Sequence, residues 1–138
     1  MLLLGTSTLA AVTNELYPSD ISAQSYPSDY GVFTLTATDI LSAPKWDGHS
    51  TPPVTVETAI DAVTKRLPPL TDNKWTLNYI SLVNFDGKGW HYLVVFENRT
   101  FLTKDQLHYV VTKYYIAAVL MDGRVLAPGA SPQSSIRK

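Results

Sequence analysis

The chain contains no cysteine, which excludes disulfides, thiolate zinc sites and cysteine nucleophiles. Charge is sparse as well: 17% of the residues are charged, and 11 basic against 12 acidic side chains give a formal net charge of -1. No basic cluster exceeds the pair Lys65-Arg66. Because a nucleic-acid-binding protein needs a basic face, no nucleic-acid partner is expected. No apolar run is long enough to cross a bilayer, so the sequence does not predict a transmembrane protein.

Motifs that carry catalysis are also missing. The chain has no Gly-x-Ser-x-Gly nucleophile turn, and residues 87–89 (Gly-Lys-Gly) precede a predicted strand, whereas a phosphate-binding loop precedes a helix. The three histidines are His49, His91 and His108. His91 and Glu97 share a predicted strand face but lie roughly 20 Å apart, too far to bind one metal ion. The sequence therefore predicts no catalytic residue, metal or cofactor, and a protein that is not an enzyme.

The length of 138 residues and a hydrophobic content of 45% predict one globular domain, which we place at residues 31–127. Residues 1–30 are interpreted as a signal remnant and polar linker, and residues 128–138 as a flexible tail. The start, MLLLGTSTLAAV, has a short apolar run followed by small residues, as in an export signal, but no basic residue precedes the run. We expect an exported protein, periplasmic or extracellular; a loosely packed start is the alternative.

The region before residue 54 carries turn and strand signals. The tetrapeptide Tyr-Pro-Ser-Asp occurs at 17–20 and again at 26–29, and its proline and polar side chains are typical of turns. Residues 31–41, GVFTLTATDIL, alternate in a way that predicts one strand. The loop that follows contains Trp46, Asp47 and His49, which could form a small site. The simpler expectation is that Trp46 folds onto the body of the domain.

A helix is predicted at about residues 55–67. Apolar residues recur there at helical spacing and would form one buried stripe. Thr55 can cap the first turn, Glu57 lies within it, and Lys65 and Arg66 lie in the last turn, in agreement with the helix dipole. Two prolines at 68–69 end the helix.

The chain after the helix has strand character throughout. Alternation predicts one face with Trp75, Leu77, Tyr79, Ser81, Val83 and Phe85, and on the next strand one face with Trp90, Tyr92, Val94 and Phe96. Asp86-Gly87-Lys88-Gly89 would connect these strands. The run at 106–121 would span roughly 50 Å if extended, against a domain about 35–40 Å across, so we expect it to bend, bulge or wrap around the helix. An Asp-Gly turn and a short last strand follow.

These elements predict an α+β fold in which one amphipathic helix packs on a three- to four-stranded antiparallel meander, with an extended N-terminal segment before it. The segments Tyr92-x-Val94-x-Phe96 and VLMDGRVL (119–126) resemble elements of PepSY-like and cystatin-like small α+β domains, over residues 54–126. The resemblance implies a non-catalytic binding or modulatory module. The protease-binding signature of cystatins, Gln-x-Val-x-Gly, is absent from QLHYV at 106–110, so that inhibitory activity is not implied.

The residues expected to bind a protein or peptide partner, on the sheet face or on a strand edge, are Tyr109, Tyr114, Tyr115, His91 and Trp46. At least one of the three tyrosines must face solvent, because they alternate along one strand. His91 has no structural explanation in the pattern. An alternative function is a small-molecule pocket under a curved, NTF2-like sheet, and a small enzyme is a third class.

Overall fold

A computed structural model describes residues 22–70 and 74–129. These residues form an α+β protein with two antiparallel sheets and two helices. In chain order the elements are β1 (Ala23–Ser28), β2 (Gly31–Thr36), α1 (Ala37–Leu41), α2 (Val56–Thr64), β3 (Thr76–Asn84), β4 (Trp90–Lys104), β5 (Leu107–Leu120) and β6 (Val125–Leu126). The predicted export signal, the first Tyr-Pro-Ser-Asp copy and most of the predicted tail lie outside the described residues.

The first sheet is a hairpin of β1 and β2, whose first strand lies within the segment that we interpreted as linker. The second Tyr-Pro-Ser-Asp copy ends β1 and enters the turn, as its composition predicts. Gly31 has a φ of 122° there, a conformation that favours glycine, and the Ser28 hydroxyl donates to the Gly31 carbonyl at 3.0 Å. Where one strand was expected before the helix, two strands pair with each other.

The predicted strand at 31–41 ends at Thr36, and α1 follows it directly. The Asp39 backbone N–H donates to the Thr36 hydroxyl oxygen at 3.1 Å, and the Thr36 N–H donates to the Asp39 carboxylate at 2.9 Å. This reciprocal capping box begins the helix, and its Thr-x-x-Asp spacing was already present in the sequence. The strand prediction overlooked that signal.

The amphipathic helix is confirmed as α2, which ends at Thr64 with Lys65 as its C-cap and is therefore shorter than predicted. The Thr58 N–H donates to the Thr55 hydroxyl at 3.2 Å, so the predicted N-cap is also found. Ala59 and Val63 are fully buried on its inner side.

The second sheet is an antiparallel meander in the order β3-β4-β5-β6. The Tyr92 hydroxyl on β4 donates at 2.7 Å to the carbonyl of Val54, which precedes α2. The Tyr115 hydroxyl on β5 lies 3.4 Å from the carbonyl of Arg66, which follows α2. Because directly opposite residues on paired strands share a face, Tyr92, Val94 and Tyr115 define what we call the helix face of the sheet. His91 and the alternate positions define the second face.

A register shift in β3, between Leu77 and Tyr79, reverses the faces that the alternation predicted. Leu77 lies opposite Phe96 on the helix face, but beyond the shift Ile80 and Leu82 lie opposite Val94 and Tyr92. Tyr79, Ser81 and Val83, which the pattern placed with Trp75 and Leu77, are therefore on the second face. An inserted bulge residue has this effect because side chains alternate with a period of two.

Of the three expected outcomes for the long run, a bend, a bulge or wrapping around the helix, the bulge is not found, because the pairing of β4 with β5 has no register shift. The pairing continues beyond the last β3 partner, Glu97, to the pair Lys104 and Leu107. The excess length therefore forms a two-stranded hairpin arm (residues 98–113). Asp105 and Gln106 turn the arm with φ values of 54° and 67°, as in a type I′ turn.

The segments converge on one hydrophobic core. The Asp29 carboxylate accepts the Tyr114 N–H at 2.8 Å and so joins the first sheet to β5. The Arg124 guanidinium donates to the Ser42 hydroxyl at 2.7 Å and joins the β5–β6 turn to the segment after α1. The core cluster comprises Leu35, Ile40, Ala43, Val54, Ala59, Val63, Phe85, Tyr92, Val94, Phe96, Tyr115, Ala117, Val119, Leu120 and Met121.

Candidate functional site

The five residues selected from the sequence do not form one site. Tyr109 lies on the hairpin arm and Tyr114 at its base, and they are 43% and 38% exposed. Tyr115 is buried on the helix face, and His91 is buried on the second face. Trp46 packs in a loop against Trp90, with ring centroids 5.3 Å apart. Of the five residues, Tyr109 and Tyr114 are exposed, Trp46 is partly exposed, and Tyr115 and His91 are buried.

The His91 side chain is fully buried, and both ring nitrogens lack a hydrogen-bond partner within the described chain. Its ring contacts Phe85 edge-on, with centroids 6.3 Å apart. Burial disfavours the charged imidazolium and lowers the pKa of His91 to about 4. His91 is therefore neutral near pH 7 and lies out of reach of a partner at the surface.

The Trp46 side chain packs against Trp90 and so folds onto the body of the domain, which was the simpler of the two expectations for this loop. The Trp46 indole donates to the Ser50 carbonyl at 2.8 Å. The Asp47 carboxylate accepts the N–H groups of Ser50 and His49 at 2.9 and 2.8 Å, and these bonds lower the pKa of Asp47. A Cβ at Gly48 would lie 3.6 Å from the Trp90 ring. These hydrogen bonds are local turn bonds, and they account for the polar cluster that the sequence presented.

Strand β3 is an edge strand: its outer side pairs with no strand in the described ranges. Its sequence, TLNYISLVN, contains no charged residue, proline or glycine. Proteins usually protect such edges with charges, proline or a covering segment, because unpaired N–H and C=O groups can pair with another chain. Leu77 and Tyr79 expose 36% and 48% of their area on this strand.

A shallow groove of about 310 Å³ adjoins this edge on the second face. Its lining residues are Asn78, Tyr79, Val95, Tyr114 and Ile116. The groove therefore crosses three strands, and the β3 bulge places Tyr79 on the same face as Val95. The absence of charge in the β3 sequence could have indicated this edge, and the sequence analysis missed it. The bulge, which decides the face of Tyr79, had no signal in the sequence.

A larger cleft of about 540 Å³ lies at the end of α2. It is lined by Tyr30, Arg66, Pro68, Tyr115, Pro128 and Gly129. The sequence placed Tyr30 in a linker and gave Arg66 only a helix-ending role, so this convergence was missed. No local pattern could have indicated it, because the lining residues come from four separate segments.

Among residues 22–70 and 74–129, no three His, Cys, Asp or Glu side chains are grouped so as to hold a metal ion. The same ranges contain no helix that is both long enough and apolar enough to cross a membrane. Comparison of the chain with protein-family models, with curated proteins and with solved structures found no match in any of the three.

Proposed function

We propose that this protein is a non-catalytic binding module that holds an extended peptide segment of a partner protein along the β3 edge. The observation that carries the proposal is the uncharged outer edge of a nine-residue strand next to an exposed aromatic groove. The peptide would add a strand to the sheet and bond to the N–H and C=O groups of β3 that point away from β4.

The groove can select among the side chains of the bound peptide. A strand paired to β3 would lie about 4.8 Å from it, and alternate side chains of that strand would point to the second face. There they would meet Tyr79, whose ring is half exposed. Tyr79, Val95 and Ile116 offer aromatic and aliphatic contacts, so the peptide should carry an apolar side chain at that position.

A peptide is favoured over a second copy of this chain as the occupant. The bulge between Leu77 and Tyr79 breaks the regular register of β3, and two bulged edges cannot pair with each other over their full length without further distortion. A flexible peptide can adapt its backbone to one bulged edge.

The resemblance to PepSY-like and cystatin-like domains, the exported location and the modulatory role remain part of this proposal. The helix on one face of the meander leaves the outer side of β3 without a paired strand in the described ranges, which suits a module of that type. Of the residues selected from the sequence, Tyr114 lines the groove. Tyr109 lies on the arm, away from the groove.

The experiment selects phage-displayed random 12-residue peptides on the purified protein and maps the selected peptides by amide hydrogen exchange. We expect enriched peptides with alternating apolar residues, and slowed exchange at alternate amides of β3. Ser81→Lys places a charge beside the edge and should weaken binding about tenfold or more. Tyr79→Ala should weaken binding through the groove.

The matched control is Val110→Lys, which places the same charge on an exposed position of the hairpin arm. It should change peptide affinity by less than about threefold. The proposal is wrong if the peptides protect the arm instead of β3, or if Val110→Lys weakens binding as much as Ser81→Lys. It is also wrong if the protein alone dimerises through protected β3 amides and Ser81→Lys abolishes the dimer, because the occupant is then a second copy.

A further inference from the structure

The cleft at the end of α2 has the dimensions of a small-molecule site. Its volume of about 540 Å³ lies within the range of about 300–1,000 Å³ that is typical of ligand pockets. Its walls are two tyrosine rings, two prolines and a glycine, together with one charged residue, Arg66. Walls of this kind suit a ligand with a flat apolar body and one charged group.

The Arg66 guanidinium has no ion pair within the described ranges, where the pairs are those of Lys88, Arg99 and Arg124. A cation at the end of a helix is favoured by the helix dipole, but the neighbouring Lys65 already supplies one at the C-cap. Arg66, unlike Lys65, lines the cleft. Its planar fork of donors matches a carboxylate and can bind both of its oxygens.

The Tyr115 hydroxyl is the second polar group. Its two acceptors, the carbonyls of Arg66 and Pro128, lie 3.4 and 3.5 Å away, well beyond the usual 2.7–2.8 Å of an O–H···O bond. Burial raises the pKa of Tyr115, although Arg66 opposes that shift, so the hydroxyl remains a donor at neutral pH. A ligand oxygen at normal distance would satisfy this donor better than either carbonyl does.

Aromatic rings form the back of the cleft. Tyr30 contacts Trp75 and Tyr115 with centroids 5.3 and 6.1 Å apart, and Trp75 contacts Tyr115 at 6.0 Å. The Trp75 indole donates to the carbonyl of Pro68, another lining residue, at 2.8 Å. The three rings are held in place by one another, so a planar ligand would meet a preformed wall.

We propose that this cleft binds a small aromatic carboxylate, whose carboxylate group bonds to the Arg66 guanidinium and the Tyr115 hydroxyl while its ring packs on Tyr30. The charge complementarity is local, since Arg66 is the one charged residue among the six described residues that line the cleft. This site is separate from the β3 edge and does not depend on the peptide-binding proposal.

The test measures binding of 2-naphthoate by calorimetry and follows the Trp75 indole N–H by NMR. We expect saturable binding that shifts the Trp75 resonance, with binding at least about tenfold weaker for the neutral 2-naphthamide and for acetate, which lacks the ring. Arg66→Gln should weaken naphthoate binding about tenfold or more. Tyr115→Phe should weaken it by a smaller factor, because one neutral donor is lost.

The matched control is Lys65→Gln, which removes the same charge from the adjacent residue and should leave affinity within about threefold. Unfolding curves of Arg66→Gln establish that the variant is folded. The proposal is overturned if Lys65→Gln and Arg66→Gln have equal effects, if 2-naphthamide binds as tightly as 2-naphthoate, or if no saturable binding occurs below about 10 mM. It is also overturned if binding leaves the Trp75 resonance unchanged.

Discussion

At the scale of single residues, His91 is a polar, ionisable side chain that is fully buried. Neither nitrogen of its imidazole has a hydrogen-bond partner among residues 22–70 and 74–129, which costs desolvation free energy even when the ring is neutral, and far more when it is charged. The neighbouring Phe85 ring offers an edge contact but no acceptor. The consequence is a stability that depends on pH.

We expect the protein to lose stability between about pH 6.5 and pH 4 through this residue. In the unfolded chain His91 takes up a proton near pH 6.5, whereas in the folded protein it does so only near pH 4. The unfolded state therefore binds more protons in this window, and the loss should reach on the order of 3 kcal/mol. His91→Leu should remove that part of the pH dependence, as measured by urea unfolding at a series of pH values.

Val95→Ala is the control for this prediction, because it shortens a buried side chain on the same face and removes no ionisable group. Its free-energy difference from the wild type should be constant with pH. A His91→Leu difference that is equally constant from pH 7 to pH 4 would show that His91 has no part in acid destabilisation.

At the scale of elements, the hairpin arm differs from the rest of the strand pair to which it belongs. β4 and β5 run without interruption from the core to the tip, yet Phe101 and Leu107 near the tip are 76% and 68% exposed. Burial follows from the neighbouring elements: β3 pairs with β4 only as far as Glu97, and the segments that flank α2 bond to Tyr92 and Tyr115 in the inner half of the pair. The inner half of the β4–β5 pair and the hairpin arm are therefore both strands, but only the inner half is buried.

Two identical substitutions on this pair should therefore have very different costs. Val94→Ala removes two methyl groups from a fully buried position and should destabilise the protein by about 2 kcal/mol. Val110→Ala makes the same change at a position that is 48% exposed and should cost less than about 0.5 kcal/mol. Chemical denaturation of both variants measures the difference. Equal costs would mean that the arm is packed against another part of the protein.

At the scale of the whole molecule, a hydrogen bond and aromatic contacts attach the first sheet and its turn to the second sheet. The hydrogen bond runs from the Tyr114 N–H to the Asp29 carboxylate at 2.8 Å, and it also satisfies one donor on the outer edge of β5. The aromatic contacts of Tyr30 with Trp75 and Tyr115 lie beside it. The attachment therefore positions one wall of the cleft.

Asp29→Ala should loosen this attachment. Loss of the acceptor leaves the Tyr114 N–H without its partner, which should cost about 1 kcal/mol and accelerate exchange of that amide about fivefold. Asp29→Asn retains a side-chain oxygen and should recover most of the protection. Unchanged Tyr114 exchange in Asp29→Ala would indicate that the two sheets are held together by apolar packing alone.

The local features of this fold could be read from the sequence because they depend on residues close together in the chain. The stripe and caps of α2 and the turn at residues 86–89 follow from side-chain periodicity and backbone preference. Gly87, with a φ of 74°, serves that turn as expected. Gly89 has another role, since a Cβ there would approach Ile40 of α1 to 2.7 Å.

The tertiary structure decided which faces are covered and which side chains meet. One bulge in β3 reversed the faces of Tyr79, Ile80 and Leu82. Side chains alternate between the two faces of a strand, so one extra residue moves every later side chain to the opposite face. The cleft joins Tyr30, Arg66 and Tyr115 from segments far apart in sequence, and no local rule specifies such a meeting. The sequence by itself determined the amphipathic helix α2 and the antiparallel strands that follow it, because these depend on local periodicity and turn residues. The packing of the elements determined where a partner or a ligand can bind.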